Sequence, residues 1–188
     1  MRHDVPTALG TIVVELRGSD VVRIGLDELA RQPATHGGDA PTGPAGSLVR
    51  WLGDYARHPT AEPPVAGAVL ERWLAAAGVG GFTRTVLLEL AGSVPAGETI
   101  TYGELARRVG SDRAARACGS AMARNPVPLL IPCHRVVPAA GGVGPYSAGS
   151  GSALKARLLQ HEGAGSIAHE PAPAVSRDHP PTPGASPA

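Results

Sequence analysis

Between Thr101 and Pro126 the chain has room only for short helices set close together. Thr101-Tyr102-Gly103-Glu104 fits a capping box, in which the Thr hydroxyl and the Glu carboxylate satisfy each other's orphan N–H groups. The helix it opens is expected to run to Val109, where Gly110 supplies a tight turn. Ser111 or Asp112 stands where it could cap a second helix, which runs through about Ala123 and stops before Asn125-Pro126. Two short helices joined by a Gly-containing turn form the helix-turn-helix pattern, and an ordinary helical hairpin fits the same spacing. Residues 112–123, Asp-Arg-Ala-Ala-Arg-Ala-Cys-Gly-Ser-Ala-Met-Ala, are small-sided. Such a surface packs tightly on a neighbouring helix, or lets backbone come close to a nucleic-acid groove. Arg113 and Arg116, three apart, would share one helical face.

The first half carries different signals. Residues 8–17 and 21–26 are β-rich runs with Gly18-Ser19-Asp20 between them, so a hairpin is expected. Residues 32–46 hold too much Pro and Gly for regular structure. Ser47 can cap a helix through about Arg57, with Leu48, Trp51, Leu52 and Tyr55 at helical spacing. A shorter helix is expected over 66–77, followed by a boundary at Gly78, Gly80 and Gly81. Phe82-Thr83 opens a helix through about Ala91, and Ser152 one that ends at Gly163. From residue 164 the chain holds 6 prolines in 25 residues and little that is apolar, which predicts a disordered tail.

Cys133 is the chemically distinctive residue. It lies in Ile131-Pro132-Cys133-His134-Arg135-Val136-Val137, where Pro132 fixes its own φ and biases Ile131 toward an extended conformation. The thiolate is the reactive form, nearby positive charge favours it, and an adjacent His can take the proton. A buried Cys acting as a small hydrophobe fits a bare Cys-His pair equally well. Cys118 has no adjacent His or Pro and reads as core.

Net charge is +1, so no global basic signal points to nucleic acid. The distribution is uneven: residues 82–163 carry 9 Lys/Arg against 5 Asp/Glu, a local +4, whereas residues 1–81 carry 7 against 9. Two cysteines and no C-x-x-C argue for a reduced, intracellular setting rather than a disulfide scaffold. No signal-peptide pattern and no membrane-length apolar stretch is present. His3, His36 and His58 fall in or near loops without ligand spacing, so no metal and no cofactor is assigned.

Taken together, these segments resemble the O6-alkylguanine-DNA alkyltransferases, the methylated-DNA–protein-cysteine methyltransferases. The resemblance covers about residues 82–163. It runs through Phe82-Thr83-Arg84, Thr101-Tyr102, Ala114-Ala115-Arg116-Ala117, Gly119-Ser120-Ala121-Met122 and Asn125-Pro126-Val127-Pro128. It continues through the Cys133 run, Gly144-Pro145-Tyr146-Ser147 and Leu158-Leu159-Gln160-His161-Glu162-Gly163. The fold it implies is α+β. A small N-terminal β-hairpin and helix domain, residues 1–78, would precede a mainly helical, winged-helix-turn-helix-like domain, residues 79–163, that carries the active-site Cys loop. Residues 164–188 form the Pro-rich tail.

The resemblance implies direct reversal of DNA damage: an alkyl group moves irreversibly from O6 of guanine, and possibly O4 of thymine, to Cys133. The base must first leave the stack. Within the family the second helix enters the minor groove, which would give Ala114, Ala115, Ala117 and Gly119 a DNA-facing role. Arg116 matches the residue that fills the vacated stack, and Tyr102 the residue that helps turn out the nucleotide and contacts the base. His134 matches the proton acceptor, acting through a water, and Glu162 the carboxylate that orients it. Asn125 matches the residue that ties the turn to the active-site loop. Backbone groups at Val136 and Ser147 match positions that hold the guanine. Arg135 reads as a structural ion-pair partner and His161 as a solvated residue.

The implied partner is double-stranded DNA containing O6-alkylguanine, met by a cytoplasmic monomer with no membrane attachment. Some family members bind zinc in the N-terminal domain, but residues 1–81 contain no cysteine. After Tyr146-Ser147 this chain reads Ala148-Gly149-Ser150-Gly151-Ser152, about two residues longer than the family's loop, and Ala148 would add a methyl near the pocket mouth. A non-transferring binder of alkylated DNA and a helix-turn-helix regulator are the competing readings. The first lacks a nucleophile, and the second needs base-reading side chains that the Ala-rich helix does not offer.

Overall fold

In a computed structural model the chain opens with three antiparallel strands in the order β1-β2-β3: β1 Arg2–Thr7, β2 Gly10–Arg17 and β3 Asp20–Asp27. The structure describes residues 1–27, 41–60, 62–65 and 67–164. Residues 32–40 of the expected loop, His36 among them, and the tail from 165 lie outside the described residues. The expected hairpin is β2–β3, turning at Gly18-Ser19, with Ile12 opposite Leu26 and Val14 opposite Ile24. The run begins two residues later than its composition suggests, because Ala8-Leu9 form a turn.

Strand β1 was not expected, since Asp4 and Pro6 interrupt its β pattern. It is an edge strand, where a proline is tolerated. His3 belongs to this strand and is buried, rather than sitting in a loop. His58 lies exposed after the turn that follows the first helix.

Helix α1 spans Gly43–Tyr55 and so takes in residues 43–46, which the Pro/Gly content had assigned to irregular structure. Pro44 stands in its first turn, where a missing N–H costs nothing, and Thr42 rather than Ser47 is the N-cap residue. Leu48, Trp51, Leu52 and Tyr55 face inward as their spacing predicts. Helices α2 (Ala68–Ala76) and α3 (Gly81–Ser93) follow. Ile12, Val14 and Ile24 of the sheet join Leu52 and Trp73 of α1 and α2 and Leu87 of α3 in one continuous core.

Strand β4 (Ile100–Thr101) leads into α4 (Tyr102–Arg108) through the predicted capping box. The Glu104 N–H donates to Thr101 Oγ1 at 3.2 Å, and the Thr101 N–H donates to Glu104 Oε2 at 2.8 Å. Gly110, at φ +71°, makes the turn to α5 (Ala115–Ala123). Neither Ser111 nor Asp112 caps α5. Residues 111–114 form a further turn, closed by the Ala114 N–H on the Ser111 carbonyl at 2.9 Å. Arg113 therefore sits in that turn and shares no helical face with Arg116. Cys118 is fully buried, as expected.

After α5 the chain enters the segment that carries the thiol. Leu129 adopts φ +70°, a left-handed conformation that costs a branched side chain about 1–2 kcal/mol. A single turn of 3-10 helix, Cys133–Arg135, runs into β5 (Val136–Val137), which pairs in parallel with β4. Helix α6 (Ser152–His161) then packs behind the Cys133 turn. The fold is thus a small antiparallel sheet with its helices, followed by a helical half built around a two-stranded parallel sheet. No helix among the described residues is long and apolar enough to cross a membrane.

Candidate active site

Cys133 is 4% exposed and lies at a cavity of about 510 Å³. The other walls come from α4 (Tyr102), α5 (Ala115, Arg116, Gly119, Met122, Ala123) and the loop before α6 (Pro145, Tyr146, Ser147). The small side chains of α5 leave the room: a Cβ added at Gly119 would already stand 3.9 Å from the Tyr102 ring. Ala114 is half-buried and Ala117 exposed, and neither lines the cavity. Ala148, expected near the mouth, instead lines a neighbouring groove with Arg23 and Ser147.

Asn125 holds the thiol from one side. Its Nδ2 donates to Cys133 Sγ at 3.1 Å and to the Ile131 carbonyl at 2.9 Å, while its Oδ1 accepts from the Val127 N–H at 3.0 Å. The Tyr146 hydroxyl is a looser partner, 3.9 Å from Sγ. Burial pushes the Cys133 thiol up from its ordinary pKa, and the Asn125 and Tyr146 hydrogen bonds, with the Lys155 charge, pull it back. The thiol is therefore held mostly protonated at neutral pH, next to groups that would stabilise the thiolate once formed.

His134 and Glu162 are both buried and joined, Nε2 to Oε1, at 2.9 Å. A carboxylate on Nε2 fixes the tautomer with its proton there and leaves Nδ1 as the acceptor. Nδ1 is buried with no protein partner among the described residues. Burial lowers the His134 pKa, and the hydrogen bond and charge of Glu162 only partly restore it, so the imidazole is neutral. Burial would raise the Glu162 carboxyl, but hydrogen bonds from His134 and Arg135 outweigh it and hold the pKa at about 2.

Arg135 is the ion-pair partner anticipated from the sequence. Its Nε meets Glu162 Oε2 at 2.9 Å, its Nη2 meets Oε1 at 2.8 Å, and its Nη1 donates to the Val94 carbonyl at 2.6 Å. This paired fork orients the carboxylate as well as neutralising it.

Three residues escaped the sequence reading. Tyr55, at the end of α1, donates its hydroxyl to Glu162 Oε1 at 2.6 Å across 107 residues of chain. No local pattern encodes such a contact. Lys155 is fully buried in α6 and donates to the Val136 carbonyl at 2.7 Å, and burial lowers its pKa to about 8. The Val136 carbonyl is thus engaged by Lys155, and Val136 does not line the cavity. A lysine at helical spacing between Leu154 and Leu158 was a visible signal of inward placement. Tyr146, in the run Gly144-Pro145-Tyr146-Ser147, faces the thiol, and its sequence position alone assigns it no role.

His161 is half-buried rather than free in solvent. Its ring Nε2–H donates to the Tyr55 carbonyl at 2.9 Å, and its ring meets the Tyr55 ring edge-on, with centroids 5.5 Å apart. The first half also supports the thiol's turn directly, because the Ile24 N–H of β3 donates to the Pro126 carbonyl at 2.7 Å. Among the described residues no group of three or more His, Cys, Asp or Glu side chains could hold a metal ion.

Residues 81–164 match the family model described as the DNA-binding domain of 6-O-methylguanine DNA methyltransferase. The chain is similar to the methylated-DNA–protein-cysteine methyltransferase of Mus musculus, with 46% identity over 118 residues, 60% of this chain and 52% of that one. To the Homo sapiens protein of the same name it is 56% identical over 82 residues, 44% of this chain and 39% of that one. The matches thus span about half or less of these curated relatives. Among solved structures it is similar to Mycobacterium tuberculosis OGT in complex with DNA, with TM-score 0.59 and 28% identity, covering 86% of this chain and 92% of that one.

Proposed function

We propose that this chain, whose residues 81–164 match the DNA-binding domain of 6-O-methylguanine DNA methyltransferase, repairs alkylated DNA by moving the alkyl group onto Cys133. The observation that carries this reading is a buried thiol facing a cavity of about 510 Å³, one wall of which is the small-sided helix α5.

In this reading duplex DNA lies along α5, with Ala114, Ala115, Ala117 and Gly119 against the minor groove. Arg116, exposed at the cavity rim, fills the place of the extruded nucleotide, and Tyr102 guides the base inward. The base-holding groups are Tyr102 and Ser147, which line the cavity; the backbone at Val136, expected to share that role, lies outside the lining with its carbonyl taken by Lys155. Neutral His134, held by Glu162, takes the thiol proton through a water. The sulfur then attacks the methyl carbon: the S–C bond forms, the C–O6 bond breaks, and its electron pair passes to the guanine. The base takes up one proton, balancing the one lost by the thiol. The product is a thioether with no step that regenerates the thiol, so each molecule acts once.

The residues divide by role near residue 78. Residues 1–78 brace the site, and 79–163 hold the DNA-reading helices and the thiol. The specific partner is double-stranded DNA carrying O6-alkylguanine, bound by a monomer. Both cysteines are free thiols, which suits a reducing cytoplasm.

The test is to incubate the full chain with duplex DNA carrying O6-methylguanine, then take an intact mass and a peptide map. One methyl group per protein on the Cys133 peptide is expected. Turnover beyond stoichiometry would overturn the reading, as would tight binding without mass gain, the behaviour of a non-transferring binder. Preference for one undamaged DNA sequence would instead favour the regulator.

A further inference from the structure

We infer that Tyr55, contributed by the first half of the chain, is a positioning residue that sets how strongly Glu162 pulls on His134. The inference deepens the proposed transfer reaction and rests on it.

Glu162 Oε1 accepts three hydrogen bonds: from Tyr55 Oη at 2.6 Å, from Arg135 Nη2 at 2.8 Å and from His134 Nε2 at 2.9 Å. Oε2 accepts from Arg135 Nε. A carboxylate offers about four lone-pair sites over two oxygens, so Oε1 is over-subscribed and its donors compete for one charge. The Tyr55 contact is the shortest of the three. Tyr55 is fully buried, and its own pKa is raised by burial and by the adjacent carboxylate, so it stays a donor. Its backbone is pinned as well, by the ring Nε2–H of His161 on its carbonyl.

The charged and titratable groups that bear on the Glu162–His134 pair come from the elements packed round it: Arg135 from the Cys133 turn, Lys155 from α6, and Tyr55 from α1. Tyr146 and Cys133 face them from the cavity side. Arg135 and Lys155 are cations that lower the His134 pKa, and Glu162 raises it. Tyr55 is a neutral donor on the shared oxygen. By drawing charge density toward itself it weakens the pull on Nε2–H and keeps the imidazole a neutral acceptor at Nδ1. Loss of the hydroxyl should shorten the His134–Glu162 bond and make the imidazole harder to deprotonate.

The test compares the full chain with Tyr55→Phe, and with 3-fluorotyrosine installed at position 55 alone, whose more acidic phenol is a stronger donor and keeps the ring in place. The proton NMR resonance of His134 Nε2–H reads its bond to Glu162 without any reaction. The pH profile of single-turnover methyl transfer reads the consequence. In Tyr55→Phe the Nε2 proton is expected to move downfield, and the acid limb to move up by about half a pH unit. That is about a threefold lower rate below the limb, with the plateau within about twofold. Fluorotyrosine should move both the other way. If Tyr55→Phe leaves the proton and the limb in place and changes only Tm, Tyr55 is merely packing and the inference is wrong. If the unaltered chain transfers no methyl group, the transfer reading fails, and the Nε2 proton alone decides the role of Tyr55.

Discussion

A single nitrogen, Nδ2 of Asn125, bonds both the sulfur of Cys133 at 3.1 Å and the carbonyl of Ile131 at 2.9 Å. The same amide therefore shapes the turn and touches the thiol. The residues its side chain bonds, Val127 and Ile131, flank in sequence Leu129, whose left-handed backbone has to be held by its surroundings.

Asn125→Ala should accordingly damage both functions. Stability should fall by about 2 kcal/mol, because the Ile131 carbonyl and the Val127 N–H lose a buried partner. Methyl transfer should slow at least about tenfold, because the thiolate loses its nearest donor. Urea unfolding and single-turnover kinetics measure the two effects separately. An unchanged rate in a destabilised variant would remove Asn125 from the chemistry.

Glu162 should make the fold acid-sensitive. Its pKa falls from 4.5 to about 2 on folding, so the folded state favours the ionised form. That stability is fully present above the unfolded pKa and is lost as pH falls from about 4.5 through about 2. It is of order 3 kcal/mol. Urea midpoints between pH 6 and pH 2.5 should fall steeply in the unaltered chain. In Glu162→Gln they should start lower, since Arg135 loses a buried partner, and depend less on pH. Parallel slopes would show that other carboxylates carry the acid dependence.

Arg116→Ala is expected to slow repair of duplex DNA at least about tenfold, while reaction with free O6-methylguanine base changes by less than about twofold. Arg116 lies at the exposed rim of the cavity rather than against the sulfur. Equal losses on both substrates would place it in the chemistry instead of in base extrusion.

Gly119→Ala should separate stability from activity. In mid-helix, alanine is favoured over glycine by about 1 kcal/mol, and the added Cβ meets only the Tyr102 ring at 3.9 Å. Tm should therefore rise by a few degrees. The new methyl group narrows the space between α5 and Tyr102, so duplex repair should slow about threefold or more. A variant that is both more stable and equally active would mean that the base does not pass this way.

What could be read from the chain alone follows from how local each signal is. The capping box needs two side chains three residues apart, and it is present as expected at Thr101 and Glu104. Ser111 and Asp112 carry good cap chemistry, but the turn after Gly110 is one residue pattern among several, and the chain spends those residues before α5 begins. Strand β1 was hidden because its pairing with β2 overrides the poor propensity of Asp4 and Pro6. Pro44 looked like a breaker and is a helix starter, a difference of position rather than residue type. At the site, Cys133, His134 and Glu162 could be picked out because they sit in recognisable runs. Tyr55 could not, because α1 shows only that it is an apolar-face residue and not what its hydroxyl meets.

Most of the sequence resemblance stops near residue 81, but the hydrogen bonds do not. Ile24 anchors the turn that begins at Asn125, and Tyr55 completes the donor set of Glu162. A gene fragment starting at Gly81 would retain every recognisable motif and still encode a damaged device, with one side of its carboxylate uncovered and the Pro126 carbonyl unmet. For anyone transplanting this site into another scaffold, the smallest portable unit is therefore the two halves together.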